Sequence, residues 1–209
     1  MRAHTMSLLL VLGAGSLAAA QSDAAPPRLL LRRPAISATQ LVFTYGGSLW
    51  SVSRDGGDAQ RLTAGPGTEY GAAFSPDGKW VAFTGEYDGN PDVFVVAAAG
   101  GVPKRLTYHP GGDEVAGWTP DGKSVLFLST RSSYYGFAPK LFAVTLEGGF
   151  PSEYALPIVA AASLSPDGAR VAYVPHPQWA ARLEALPGRS DHADLGRRPE
   201  GFAHREGAA

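Results

Sequence analysis

Three short stretches place a hydroxyl two residues before a carboxylate: Ser75-Pro76-Asp77-Gly78, Thr119-Pro120-Asp121-Gly122 and Ser165-Pro166-Asp167-Gly168. Ser75 and Ser165 invite a nucleophile reading, and the recurring aspartates a cation site. A triad, however, needs a base within hydrogen-bond reach, and neither serine sits in a nucleophile elbow. The turn explanation covers every position. Proline presets φ for a first corner, aspartate bonds back to nearby N–H groups, and glycine takes the left-handed conformation that closes a hairpin. All twelve residues are therefore expected to be structural. The loop Asp88-Gly89-Asn90-Pro91-Asp92 offers oxygen ligands but lacks the acid that would complete a calcium loop. His109 and His176 each adjoin proline, and no histidine pair has zinc-ligand spacing. No catalytic, cofactor-binding or metal-binding residue is expected in this chain.

The elements that carry these turns repeat. The prolines of the three stretches lie 44 and 46 residues apart. Gly56-Gly57, Gly100-Gly101 and Gly148-Gly149 keep the same beat, and Arg61-Leu62-Thr63 recurs as Arg105-Leu106-Thr107. Around them lie short runs rich in aromatic and β-branched residues, bounded by turn formers, as strands are. The unit is strand, proline turn, strand, loop, strand, Gly-Gly turn, strand. Four antiparallel strands in about 44 residues is the size of one propeller blade. Trp80-Val81-Ala82-Phe83 and Val125-Leu126-Phe127-Leu128 are apolar on both faces, which suits blades sandwiched between neighbours. Trp80, Trp118, Tyr134, Tyr135 and Phe137 read as core or blade-edge packing, with Tyr134-Tyr135-Gly136 in a longer loop that a peptide could touch.

The expected fold is all-β: a partial propeller of about three and a half four-stranded blades. It comprises an incomplete first blade over residues 39–67, full blades over 68–110 and 111–157, and the first hairpin of a fourth ending near Pro175. Residues 1–20 read as a signal peptide, with Arg2, an apolar run from Met6 to Leu17 and Ala18-Ala19-Ala20 before Gln21, so the mature chain is expected to be exported, periplasmic and free of a membrane anchor. Residues 21–36 read as a linker and 37–178 as the incomplete propeller. Of the 209 residues 44% are apolar, enough for a core, and cysteine is absent. The 18 basic and 19 acidic residues leave a net charge of −1, too little to hold nucleic acid.

The stretches GAAFSPDGKWVAFTGEYDGNPDVFVV, GGVPKRLTYHPG, VAGWTPDGKSVLFLSTR and LFAVTLEGGFP resemble, in order, the WD40-like N-terminal propeller of bacterial tricorn-type proteases. The resemblance runs from Leu29 to about Trp179. It implies a parent chain in which further domains hydrolyse peptides with a serine nucleophile, while this segment scaffolds or gates substrate passage. The partners implied are peptides and the remaining domains of that parent; homo-oligomerisation of the parent is left open. The family's catalytic residues match no position here. Similar repeats occur in TolB, which implies the alternative of a periplasmic protein-binding propeller. A nonfunctional truncated product is the third reading.

Residues 179–209 lose the strand period and every propeller marker. The plain expectation is a disordered tail. A sharper one is out-of-frame translation: a back-translation from Leu183, read one nucleotide later, gives a string that resembles the tricorn-like continuation.

Overall fold

The structure, a computed structural model, describes residues 31–133 and 138–175, and the backbone of Arg205–Glu206. The stretch read as a signal peptide, Tyr134, Tyr135, Phe137, His176 and nearly all of the stretch read as a tail lie outside the described residues.

Four antiparallel sheets follow one another along the chain, each a simple meander. The first holds β1 (Arg32–Ile36), β2 (Gln40–Tyr45), β3 (Ser48–Ser53) and β4 (Gln60–Arg61). The second holds β5 (Thr68–Phe74), β6 (Trp80–Glu86), β7 (Pro91–Ala97) and β8 (Lys104–Arg105). The third holds β9 (Asp113–Trp118), β10 (Ser124–Ser129), β11 (Lys140–Thr145) and β12 (Ser152–Glu153). In the fourth, β13 (Ala161–Leu164) pairs with β14 (Arg170–Val174), which pairs with β15 (Arg205–Glu206). The second and third sheets coincide with the two full blades that the repeat spacing predicts.

Two boundaries differ from the sequence reading. The first blade is complete, because its first strand comes from Arg32–Ile36, inside the stretch read as a linker. Four of its five residues are exposed, so it carries no alternating apolar signature. At the other end, Arg205 and Glu206 pair with Val171 and Arg170, so the stretch read as a structureless tail contributes a short third strand.

Packing explains why the long strands are apolar on both faces. On β7, Phe94 and Val96 join Val42, Leu49 and Phe83 between the first two sheets. The alternate residues Val93 and Val95 join Val125, Phe127 and Phe142 between the second and third. Period-two geometry thus feeds two cores from one strand. Phe83 stacks on Phe94 at 5.7 Å and Phe127 on Phe142 at 5.6 Å, the same pair one blade apart. Full burial of each such ring is worth about 1.5–3 kcal/mol. Trp118 is buried and its indole N–H donates to the Ala73 carbonyl of the preceding blade at 2.9 Å, whereas Trp80, the first residue of the inner strand β6, stays 39% exposed.

Consecutive sheets meet through their first strands: β1 touches β5, β5 touches β9, and β9 touches β13. Strands β4, β8 and β12 pack mainly on their own sheets. The blades therefore converge on the first strands, the side that lines a propeller's channel. All three full blades break register there. The pairing of β1 slips between Arg32 and Ala35, that of β5 between Tyr70 and Ala73, and that of β9 between Val115 and Gly117. Bulges of this kind bend a strand and re-aim side chains.

Candidate functional site

The three proline turns are superimposable in their bonding. In the first, Ser75 Oγ accepts the Trp80 N–H at 3.0 Å and donates to Asp77 Oδ1 at 2.6 Å, and Oδ1 also accepts the Lys79 N–H at 3.1 Å. Thr119, Asp121, Lys123 and Ser124 repeat this, as do Ser165, Asp167, Ala169 and Arg170. The hydroxyl bond, and secondarily the backbone N–H, holds each aspartate below the usual carboxyl value. Gly78, Gly122 and Gly168 close the turns at φ of 71°, 70° and 73°. The hydroxyl, the aspartate and the glycine of each stretch are thus engaged within their own turn. In the first blade Ser37 takes over alone, its Oγ accepting the N–H groups of Thr39 and Gln40.

The Arg-Leu-Thr marker clamps the outer hairpin. Leu62 and Leu106 are buried, and their N–H groups bond the carbonyls of Leu49 and Val93. Thr63 and Thr107 accept the N–H groups of those same residues on their hydroxyls. The arginines reach back to the head of the third strand, Arg61 to Ser48 Oγ at 2.7 Å and Arg105 to Asp92 Oδ2 at 2.5 Å. Arg105 also binds Asp88, and Asn90 donates to Asp92 and to the His109 carbonyl. The Asp88–Asp92 loop is therefore an internally satisfied turn. His109 accepts the Gly111 N–H at 2.9 Å, again a loop role.

Two buried acids at the heads of first strands were not singled out in sequence. Glu69 is fully buried in β5; its carboxylate accepts the Leu49 N–H and the Thr63 hydroxyl from the first blade and the Tyr87 hydroxyl from its own. Asp113, the equivalent residue of β9, is held by Arg131 Nη2 at 2.5 Å. One methylene shorter, it leaves its buried Oδ1 without a partner. Burial raises the Asp92 carboxyl, Arg105 and Thr107 oppose that, and nearby Asp113 adds to it. The available signal was a polar residue opening an apolar strand at the same phase in two repeats.

Among the described residues, a cavity of about 580 Å³ lies where the first strands converge. Its lining includes Arg32 and Arg33 of β1, Thr44 of β2, Tyr70 of β5 and Glu114 of β9. The Arg33 guanidinium sits 5.3 Å over the Tyr70 ring. Burial, then Glu114 and Glu86, push the Tyr70 hydroxyl up to about 12 against the lowering effect of Arg33, so it stays a donor at ordinary pH. Both charges and an aromatic face thus line one opening. Among the described residues no group of three or more histidines and acids is placed to hold a metal ion, and no helix is long and apolar enough to cross a membrane.

Sheets of four antiparallel strands in sequence order, meeting at their first strands around a lined cavity, define this molecule as part of a β-propeller. Comparison with family models then gives the lineage. The chain belongs to the tricorn protease N-terminal β-propeller domain family, whose model matches residues 28–189. Among solved structures it is similar to a TolB from Agrobacterium tumefaciens described as putative (21% identity, TM-score 0.62, 70% of this chain and 54% of that one). It is also similar to TolB from Acinetobacter baumannii (26%, 0.61, 72% and 39%). The tricorn protease is similar at 22% identity and a TM-score of 0.62, over 69% of this chain. This chain spans 54% and 39% of the two TolB chains and 15% of the tricorn protease chain. No curated protein matches it.

Proposed function

We propose that the chain serves as the non-catalytic N-terminal propeller of an exported, periplasmic tricorn-like serine protease, scaffolding or gating the passage of peptides to catalytic domains encoded beyond it. The observation that carries this reading is the family match over residues 28–189. It is supported by a cavity at the convergence of the first strands whose lining suits peptide backbone and charged termini. The test compares peptide hydrolysis by the product of the whole reading frame with that of a product lacking residues 31–175. Loss of discrimination between long and short peptides on deletion is expected; unchanged discrimination overturns the gating role. A TolB-like binding propeller is the second reading, favoured by the likeness to the two TolB structures. It predicts a frame without any peptidase activity.

A further inference from the structure

The cavity between β1, β2, β5 and β9 holds charge that the fold does not cancel. Arg32 and Arg33 form no ion pair among the described residues, and neither do Glu114, which shares the cavity, or Glu86 near Tyr70. Arg33 stacks on Tyr70, which orients a guanidinium without neutralising it. Thr44, 8% exposed, lines the same cavity, and its Oγ1 is buried without a hydrogen-bond partner. A buried orphan hydroxyl is costly unless something binds it.

A further observation is independent of charge. Arg33 has φ of 47°, the only non-glycine residue with positive φ among the described residues. A side chain in that region is strained, and such strain collects at binding sites. At the corresponding bulge of β5 the chain uses Gly71, at φ of 65°. Glycine was therefore the unstrained solution, and an arginine stands in its place.

We infer that this cavity binds a small dipolar molecule of the amino-acid or short-peptide class, its carboxylate on Arg33 and its ammonium toward Glu114, with the Thr44 hydroxyl bonding the polar backbone between them. Opposite charges held unpaired in one opening favour a ligand that carries both over one that carries either. The inference rests on the reading of the cavity as part of a peptide passage, and it names what that passage recognises.

Titration calorimetry on the full chain at low salt tests it with dialanine, N-acetyl-dialanine, dialanine amide and N-acetyl-dialanine amide. Saturable binding of dialanine is expected, weakened about tenfold when either end is blocked, the scale of one charge-assisted contact. R33G suits the backbone, so its Tm should not fall, yet it should no longer distinguish dialanine from its amide. E114Q should no longer distinguish dialanine from the acetylated form. Free alanine binding as tightly as dialanine would point to an amino acid as the ligand, and weaker binding to a peptide; both support the dipolar site. Absence of saturable dialanine binding, equal affinity for all four probes, or an R33G profile like the wild type overturns it. Because binding is read on this chain alone, a missing protease core would overturn the proposed function without touching this result.

Discussion

Lys140 Nζ lies 2.6 Å from Glu153 Oε1, at the place in the third blade where the second blade pairs Asp92 with Arg105. The alignment is fixed by the backbone: the Tyr154 N–H bonds the Leu141 carbonyl as the Leu106 N–H bonds Val93. The clamp has kept its geometry and reversed its polarity. Lys140, with help from Ser132, holds the Glu153 carboxyl below its usual value. A double-mutant cycle with Lys140→Glu and Glu153→Lys should therefore show the doubly reversed chain recovering stability lost in each single variant. At this exposure the coupling should stay below about 1 kcal/mol by urea denaturation. A doubly reversed variant no more stable than the singles would contradict the pairing.

Glu69→Ala should be far more damaging. It removes the carboxylate that accepts the Thr63 and Tyr87 hydroxyls at the junction of the first two blades, and leaves the buried Leu49 N–H with the Thr63 hydroxyl as its one acceptor. A loss of about 3 kcal/mol is expected, against about 1 kcal/mol for Glu69→Gln, which keeps one acceptor oxygen. Equal losses would show that the carboxylate does not bridge the blades.

Within the turns, Ser75→Ala removes both the acceptor for the Trp80 N–H and the donor to Asp77. It should cost about 1 kcal/mol and bring the Asp77 titration back toward 3.8, the ordinary value from which it is lowered. Carbon-detected NMR titration reads the second effect; an unmoved Asp77 would remove the hydroxyl as its cause.

The pH dependence combines two opposite contributions. Asp77, Asp121 and Asp167 titrate lower in the fold than in the unfolded chain, so their contribution is present above the unfolded value and is lost as pH falls through the folded one. Asp92 is raised, so its contribution is present below the unfolded value and is lost as pH rises through the folded one. Asp113→Asn removes a neighbouring charge and should lower the Asp92 value. An Asp92 midpoint unchanged in that variant would mean that the two carboxylates do not interact.

What was legible in the sequence is what is local. Each proline turn closes its bonds within six residues, so Ser75 to Trp80 carries the whole device on its face. The two-sided apolar strands were legible for a similar reason, since β7 alone shows that both its faces are buried. Strand β1 was hidden because exposed arginines and Pro34 form it and Ser37 replaces the marker turn. Glu69 escaped because its partners stand 20, 6 and 18 residues away, on two blades. The charge-reversed clamp escaped because the Arg-Leu-Thr pattern vanishes when Glu153 takes the place of arginine, although the pairing survives. The cavity required the bulges, and nothing in Arg32-Arg33-Pro34 announces a positive φ.

The most direct test of the proposed function is the genomic DNA from the codon of Trp179 through several kilobases downstream. The account predicts that it encodes, in this frame or one base away, further propeller blades followed by a serine peptidase core. Downstream DNA without peptidase-like coding sequence in any frame would contradict it.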